Sequence, residues 1–203
     1  MNVKPTRSEL MKLKKKIKLA QGGYRLLKKK RDGLILEFFE ILKRAKSVRA
    51  ELTEKFIEAQ GKVNKARVLE GDLAVNAVAL SIAEGPIINV ETKNVMGVVV
   101  PSIESSDIQK PILSRGYGAY SASAAITESA RAYEELVEYI ILAAEVETTM
   151  KKLLYEIERT KRRVNALEFD VIPNLQKFVK FIEFRLEEAE RETIFRTKML
   201  KKA

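Results

Sequence analysis

In two widely separated stretches of this 203-residue chain, apolar residues recur at alternating steps of three and four, and that rhythm limits what the chain can become. The first run is Leu13, Ile17, Ala20, Tyr24, Leu27, Arg31, Leu34, Phe38, Ile41, Ala45, Val48 and Leu52. The second is Ile126, Ala130, Tyr133, Val137, Ile140 and Ala144, then Met150, Leu153, Ile157, Thr160, Val164, Leu167 and Val171. Beyond Pro173 it resumes as Leu175, Phe178, Ile182, Leu186 and Ala189. A heptad stripe of this kind leaves water only against another helix. About forty residues without helical pattern lie between the runs, so each run meets the other most simply by folding back. The expected fold is mainly α: a long antiparallel two-helix coiled coil of N- and C-terminal helices, with a short β-hairpin and loop at the bend. Some seventy residues of helix, at roughly 1.5 Å each, would make a rod on the order of 100 Å long.

Composition narrows the chemistry. Charged residues make up 33% of the chain, as helices that bury one stripe require. There is no Cys and no His, so disulfides, thiol-bound metals and the commonest general base are all absent. Gly61-Lys62 lacks the upstream glycine and the hydroxyl of a phosphate loop. The many carboxylates read as a solvated helix face. No catalytic residue, cofactor or metal site is expected. No apolar run approaches the roughly 18 residues of a membrane span, and Met1 to Lys16 is charged where a signal peptide is apolar. A cytosolic placement is expected.

The net charge of +10 is unevenly placed. Residues 1–50 carry 16 Lys or Arg against 4 Asp or Glu, residues 51–150 carry 8 against 15, and residues 151–203 carry 14 against 9. Antiparallel helices would gather the two basic segments at one end and leave the bend acidic. Pairing of positions that sum to about 203 would set Lys14 to Lys16 opposite Glu187, Glu188 and Glu190, with Arg44 and Lys46 near Glu156 and Glu158. Arg31 and Thr160 are polar positions on the stripe, of the kind that fix register.

Three segments are expected: an N-terminal helix over 1–84, a hairpin and loop over 85–120, and a C-terminal helix over 121–203. Thr6 or Ser8 would cap the first helix, with Glu9 favourable in its first turn. Gly22, Gly23 and Gly33 interrupt it, either to admit a close backbone or as plain tolerance. After Leu52 the step to Phe56 is four, which would relax the supercoil locally. Helical character continues through Leu69, Leu73 and Leu80 and stops by Gly85 and Pro86. Pro86 to Thr92 and Val95 to Val100 read as a hairpin with its turn at Lys93-Asn94 or Met96-Gly97, ending at Pro101. Ser102 to Tyr120 reads as a loop, the second helix starts near Ser121 to Ala125, and Pro173 should kink it.

The run Arg159, Lys161, Arg162 and Arg163 has two functional readings, phosphate contacts on nucleic acid or contact with an acidic protein cavity, beside the plain one of a solvated face. No stacking aromatics are interleaved with it, and Glu156, Glu158 and Glu168 surround it.

Particular words in the chain then identify a resemblance. Pro5-Thr6-Arg7, Gly23-Tyr24 with Leu26 to Asp32, Asn94 to Gly97 with Val100-Pro101, Arg159 to Glu168 with Val171-Ile172-Pro173, and Arg191-Glu192 with Phe195-Arg196 closely resemble the D subunits of the archaeal and vacuolar-type rotary ATPases. The resemblance spans nearly the whole chain and fits least over 102–115. It implies a central-stalk rotor subunit inside an alternating ring of A and B subunits, with the F subunit docked on the stalk and the bend end seated in a socket subunit above the membrane ring. ATP sites in that family belong to A and B, so the rotor protein itself is non-catalytic and binds no nucleotide. It would sit on the cytoplasmic side of the cell membrane, peripheral within a membrane-bound complex. The resemblance places the basic end, with Lys28, Arg31, Arg159, Arg162 and Arg163, inside the ring. Two other readings of the residues are a basic helical hairpin that binds nucleic acid and a coiled-coil scaffold that dimerises through the same stripe.

Overall fold

The computed structural model describes residues 4–82, 85–106, 108–111, 115–117 and 123–202. Helix α1 runs Arg7–Glu70, α2 Asp72–Ser81, strand β1 Ile87–Val95, β2 Val98–Ser106, and α3 Ala124–Ala166. A π-helical turn over Leu167–Val171 then leads into α4, Ile172–Lys202. The mainly α class and the hairpin between the long helices are as expected. The chain forms two compact units: one of residues 1–35 and 156–203, the other of residues 36–155. Helices α1 and α3 thus contribute to both units.

In the first unit α1 starts as its sequence dictates. The Glu9 N–H donates to Thr6 Oγ1 at 3.3 Å and the Leu10 N–H to the Thr6 carbonyl at 3.0 Å, so Thr6 is the cap. Leu13 packs with Val179 and Ile182, and Ile17, Leu175, Phe178 and Leu186 close around them. Ile182 and Leu34 have no exposed surface, and each such side chain contributes roughly 1.5 to 3 kcal/mol. All twelve residues of the first run are buried or half-buried, Leu27, Phe38 and Ile41 among the half-buried. Gly22 and Gly23 approach nothing, since a Cβ built on either meets no atom within 4 Å, so they are tolerated rather than required.

Register departs from the expected pairing. Arg7 meets Glu190 at 2.6 Å and Lys14 meets Glu183 at 2.7 Å, one turn short of Glu187. Lys30, not Arg44 or Lys46, meets Glu156, at 3.9 Å. Exposed charges are worth too little to set register, about 0.2 to 1 kcal/mol each, so the apolar stripe decides it. The π-turn shifts that stripe. Within it the Ile172 N–H donates to the Leu167 carbonyl, an i to i+5 bond, and Pro173 follows with no N–H to give. Thr160 and Val164 are buried before the turn and Val179 and Ile182 after it, while Val171, expected on the stripe, is exposed. Where a kink is expected at Pro173, the helix carries this π-turn directly before the proline.

In the second unit α1 and α3 run antiparallel, since Lys55 meets Glu135 at 3.2 Å and Lys62 meets Glu128 at 3.8 Å. Ala59, Ala132 and Leu136 form a small core with Tyr133 against it. The step of four to Phe56 is not structural: Phe56 is 51% exposed, and Lys55 takes the stripe position with its stem half-covered. On α3 Ile126 and Leu153 are buried as expected, but between them Ser129, Ala132 and Leu136 are buried where Ala130, Tyr133 and Val137 are only half-buried, and Ile140 and Ala144 are exposed. The reason is a second cover. Arg115 and Tyr117 pack on the Ala130, Tyr133, Glu134 and Val137 side, around a cavity of about 250 Å³, so α3 buries two faces and no single stripe describes it. The Arg115 guanidinium, 8% exposed, donates to Glu134 at 2.7 Å and to the Lys110 carbonyl at 3.0 Å. Burial opposes its charge, but hydrogen bonds to Tyr117 and Glu134 and the Glu134 charge outweigh that and raise its pKa.

Helical character continues to Ser81 and stops before Gly85 as expected, but it is interrupted at Gly71, whose φ of 84° no right-handed helix accommodates. The hairpin is longer than expected. Its turn is Met96-Gly97, both with positive φ, closing the Val95–Val98 pair, and the Gly97 N–H donates to Asn94 Oδ1 at 2.8 Å. Alternation from that closing pair puts Pro101, opposite Thr92, at a non-hydrogen-bonded site, so β2 continues through it to Ser106. Ser123 caps α3: its carbonyl accepts from the Thr127 N–H and its hydroxyl oxygen from the Ile126 N–H. Helix α3 begins at Ala124, within the expected Ser121 to Ala125, and the Tyr120 end of the expected loop lies outside the described residues.

Candidate partner interface

Among the described residues, no group of His, Cys, Asp or Glu has the arrangement of a metal site, and no helix is long and apolar enough to cross a membrane. The candidate site is therefore a surface. The first unit carries 24 Lys or Arg against 11 Asp or Glu, whereas the second carries 14 against 17. Positive charge is concentrated where the two helix ends pair.

Five basic residues expected at a partner contact fall in this unit, and one carboxylate ties their two helices together. Glu156 forms ion pairs with Lys30 on α1 at 3.9 Å and with Arg159 one turn along α3 at 3.7 Å. Lys28 and Arg31 lie within a turn of Lys30, and Arg162 and Arg163 within a turn or so of Arg159. The five thus share one stretch of the helix pair. Their states differ. Lys28 sits over the Tyr24 ring, 5.6 Å from its centroid, with its ammonium 3.4 Å from the Tyr24 hydroxyl. Arg31, half-buried on the stripe, turns its guanidinium to its neighbour Asp32 at 2.8 and 3.1 Å. Arg162 and Arg163 are exposed and make no ion pair among the described residues. Charge that is not spent inside the chain is available to a partner.

Beneath these groups the buried side chains Thr160 and Val164, with Ile157 and Leu167 half-covered, hold the α3 side in place. Thr160 is the polar stripe position that ends up buried; Arg31 does not go fully inside because its charge finds Asp32 at the rim. Two participants escape a reading of the sequence. Lys30 is one of a run of lysines, and only the register singles it out for Glu156. Phe169 stands between Glu168 and Asp170, off the heptad rhythm, and is 74% exposed on the π-turn. That off-rhythm aromatic was the available signal.

In the second unit, a charged relay crosses from α1 to α3. Lys62 meets Glu58 at 2.8 Å, and Lys55 reaches both Glu58 and Glu135. The hydrogen bond and charge of Lys62 hold the Glu58 carboxyl below the usual range, and Glu58 in turn raises Lys62. Glu135 likewise raises Lys55.

The chain matches the family of ATP synthase D subunits over residues 9–202. The D subunit of the A-type ATP synthase of Methanococcoides burtonii is 59% identical to it over 99% of this chain and 98% of that protein. The protein of the same name from Methanosarcina acetivorans is 56% identical over 98% of this chain and 96% of its own length. That from Halorubrum lacusprofundi is 54% identical over 98% and 88%.

Proposed function

The chain belongs to the family of ATP synthase D subunits, and on that premise we propose that it is the central-stalk rotor of an A-type ATP synthase, carrying torque between the A/B catalytic ring and the membrane ion-translocating ring. It is non-catalytic, with the nucleotide sites in the A and B subunits. The F subunit docks on the stalk, and a socket subunit above the membrane ring receives the acidic end. The complex holds it peripherally on the cytoplasmic side of the cell membrane.

The observation that carries this reading is the locked pairing in the first unit. A rotor transmits torque only if its strands do not slide past each other. Here Leu13, Val179 and Ile182 interdigitate, and ion pairs from Arg7–Glu190 to Lys30–Glu156 bracket them. The stripe supplies both the stability and the register, and the charges add to it only weakly. Arg162, Arg163 and Lys28 face outward from that lock, where an acidic ring lining would meet them. Because α1 and α3 present different side chains, the surface is asymmetric and fits the ring differently at each orientation. Turning and nucleotide occupancy become linked reciprocally.

The test is single-molecule rotation: with the ring fixed and a probe on this chain, ATP should drive revolution. Hydrolysis without revolution would defeat the reading. Replacing Leu27 or Leu167 with Asp should uncouple hydrolysis from ion transport while the ring still binds nucleotide; lost nucleotide binding with coupling intact would count against it.

A further inference from the structure

The π-turn Leu167–Val171 buries none of its five residues. A π-turn bonds less well than regular helix and recurs where proteins do something. Pro173 withholds a further donor immediately afterwards. The segment gives up helical regularity, and burial within the chain returns only the half-covered Leu167 for it. Its Phe169 is the most exposed aromatic side chain among the described residues, at 74%. Seven residues earlier, about two turns, Arg162 lies on the same outward face, exposed and without an ion pair among the described residues. Asp170 is turned along the helix to Asn174 Nδ2 at 2.6 Å. An uncovered aromatic two turns from an unneutralised arginine on one helix face has the composition of a protein-binding hot spot, and a large exposed aromatic otherwise only invites aggregation.

We propose that Phe169 and Arg162 form an anchor that seats in an apolar pocket rimmed by carboxylates on the catalytic ring. This rests on the rotor reading and names the contact within it. The occupant must be acidic, because the unit that presents the anchor carries more than twice as many basic as acidic residues. Phe169 gives the contact its depth, and Arg162 steers and orients it.

The test titrates the full-length chain against the ring of catalytic subunits at fixed salt. Phe169→Ala should weaken binding at least tenfold and Phe169→Leu less. Arg162→Gln should weaken it and flatten its salt dependence. Phe56→Ala, an exposed aromatic of the other unit, should bind as the unaltered chain does. Phe169→Ala should unfold at an unchanged midpoint, which separates a lost contact from a lost fold; Phe169→Leu serves if it does not. Unaltered affinity in Phe169→Ala overturns the anchor and leaves the rotor reading standing. Failure of the unaltered chain to bind the ring removes both.

Discussion

Glu58 shows how one residue links charge to stability. Its carboxyl is held below the ordinary range first by the hydrogen bond and charge of Lys62 and then by Lys55. A carboxyl depressed in the folded state contributes stability that is present above its unfolded pKa and is lost as pH falls through the folded value. Lys62, raised by the same pair, contributes below the unfolded lysine value and loses that contribution as pH rises through the folded one. Glu58→Gln should therefore lower stability in the neutral region, converge with the unaltered chain at low pH and so flatten the acid limb, as followed by thermal unfolding at graded pH. An acid limb of unchanged shape would take Glu58 out of that role. The relay also explains Lys55 at a stripe position: its stem covers the apolar face while its ammonium meets Glu135.

At the scale of the element, α1 continues through Gly22 and Gly23 although glycine costs on the order of 1 kcal/mol against alanine in a helix interior. Neither glycine has a neighbour that a methyl would strike. Gly22→Ala should stabilise the isolated chain by about 0.5 to 1 kcal/mol, read from urea unfolding. Destabilisation would mean that the backbone there needs its freedom. The hairpin follows different physics. The positive φ of Met96 and Gly97 matches the right-handed twist of the flanking strands, and Pro101 is harmless because its missing N–H faces away from β1. Pro173 is accommodated too, by a helix that has already opened into a π-turn.

At the scale of the molecule, the charge division between the units is the governing quantity. The basic unit should dock on an acidic ring through long-range attraction, which salt screens over a Debye length of roughly 10 Å at 0.1 M. Raising ionic strength should lower the association rate with the ring much more than it raises the dissociation rate, as stopped-flow mixing would record. A rate indifferent to salt would make the excess charge a matter of solubility alone.

Heptad rhythm by itself determined the helical class, the antiparallel sense and the full first stripe from Leu13 to Leu52, because a period near 3.5 has one stable use. The cap at Thr6 was legible too, since local capping needs few neighbours. The set Lys28, Arg31, Arg159, Arg162 and Arg163 came from the resemblance, since a pairing that sums to about 203 would set Arg159 opposite Arg44, and only the contacts of Glu156 bring the two runs to one stretch. Register was not legible, because isolated exposed charges carry too little energy to choose between pairings a turn apart, and Glu156 consequently went to Lys30. Nor was the second buried face of α3, which exists only once Arg115 reaches Glu134 across nineteen residues of chain. The π-turn, and with it the exposure of Val171, was not legible either, because a phase is a property of packed helices rather than of any residue in them.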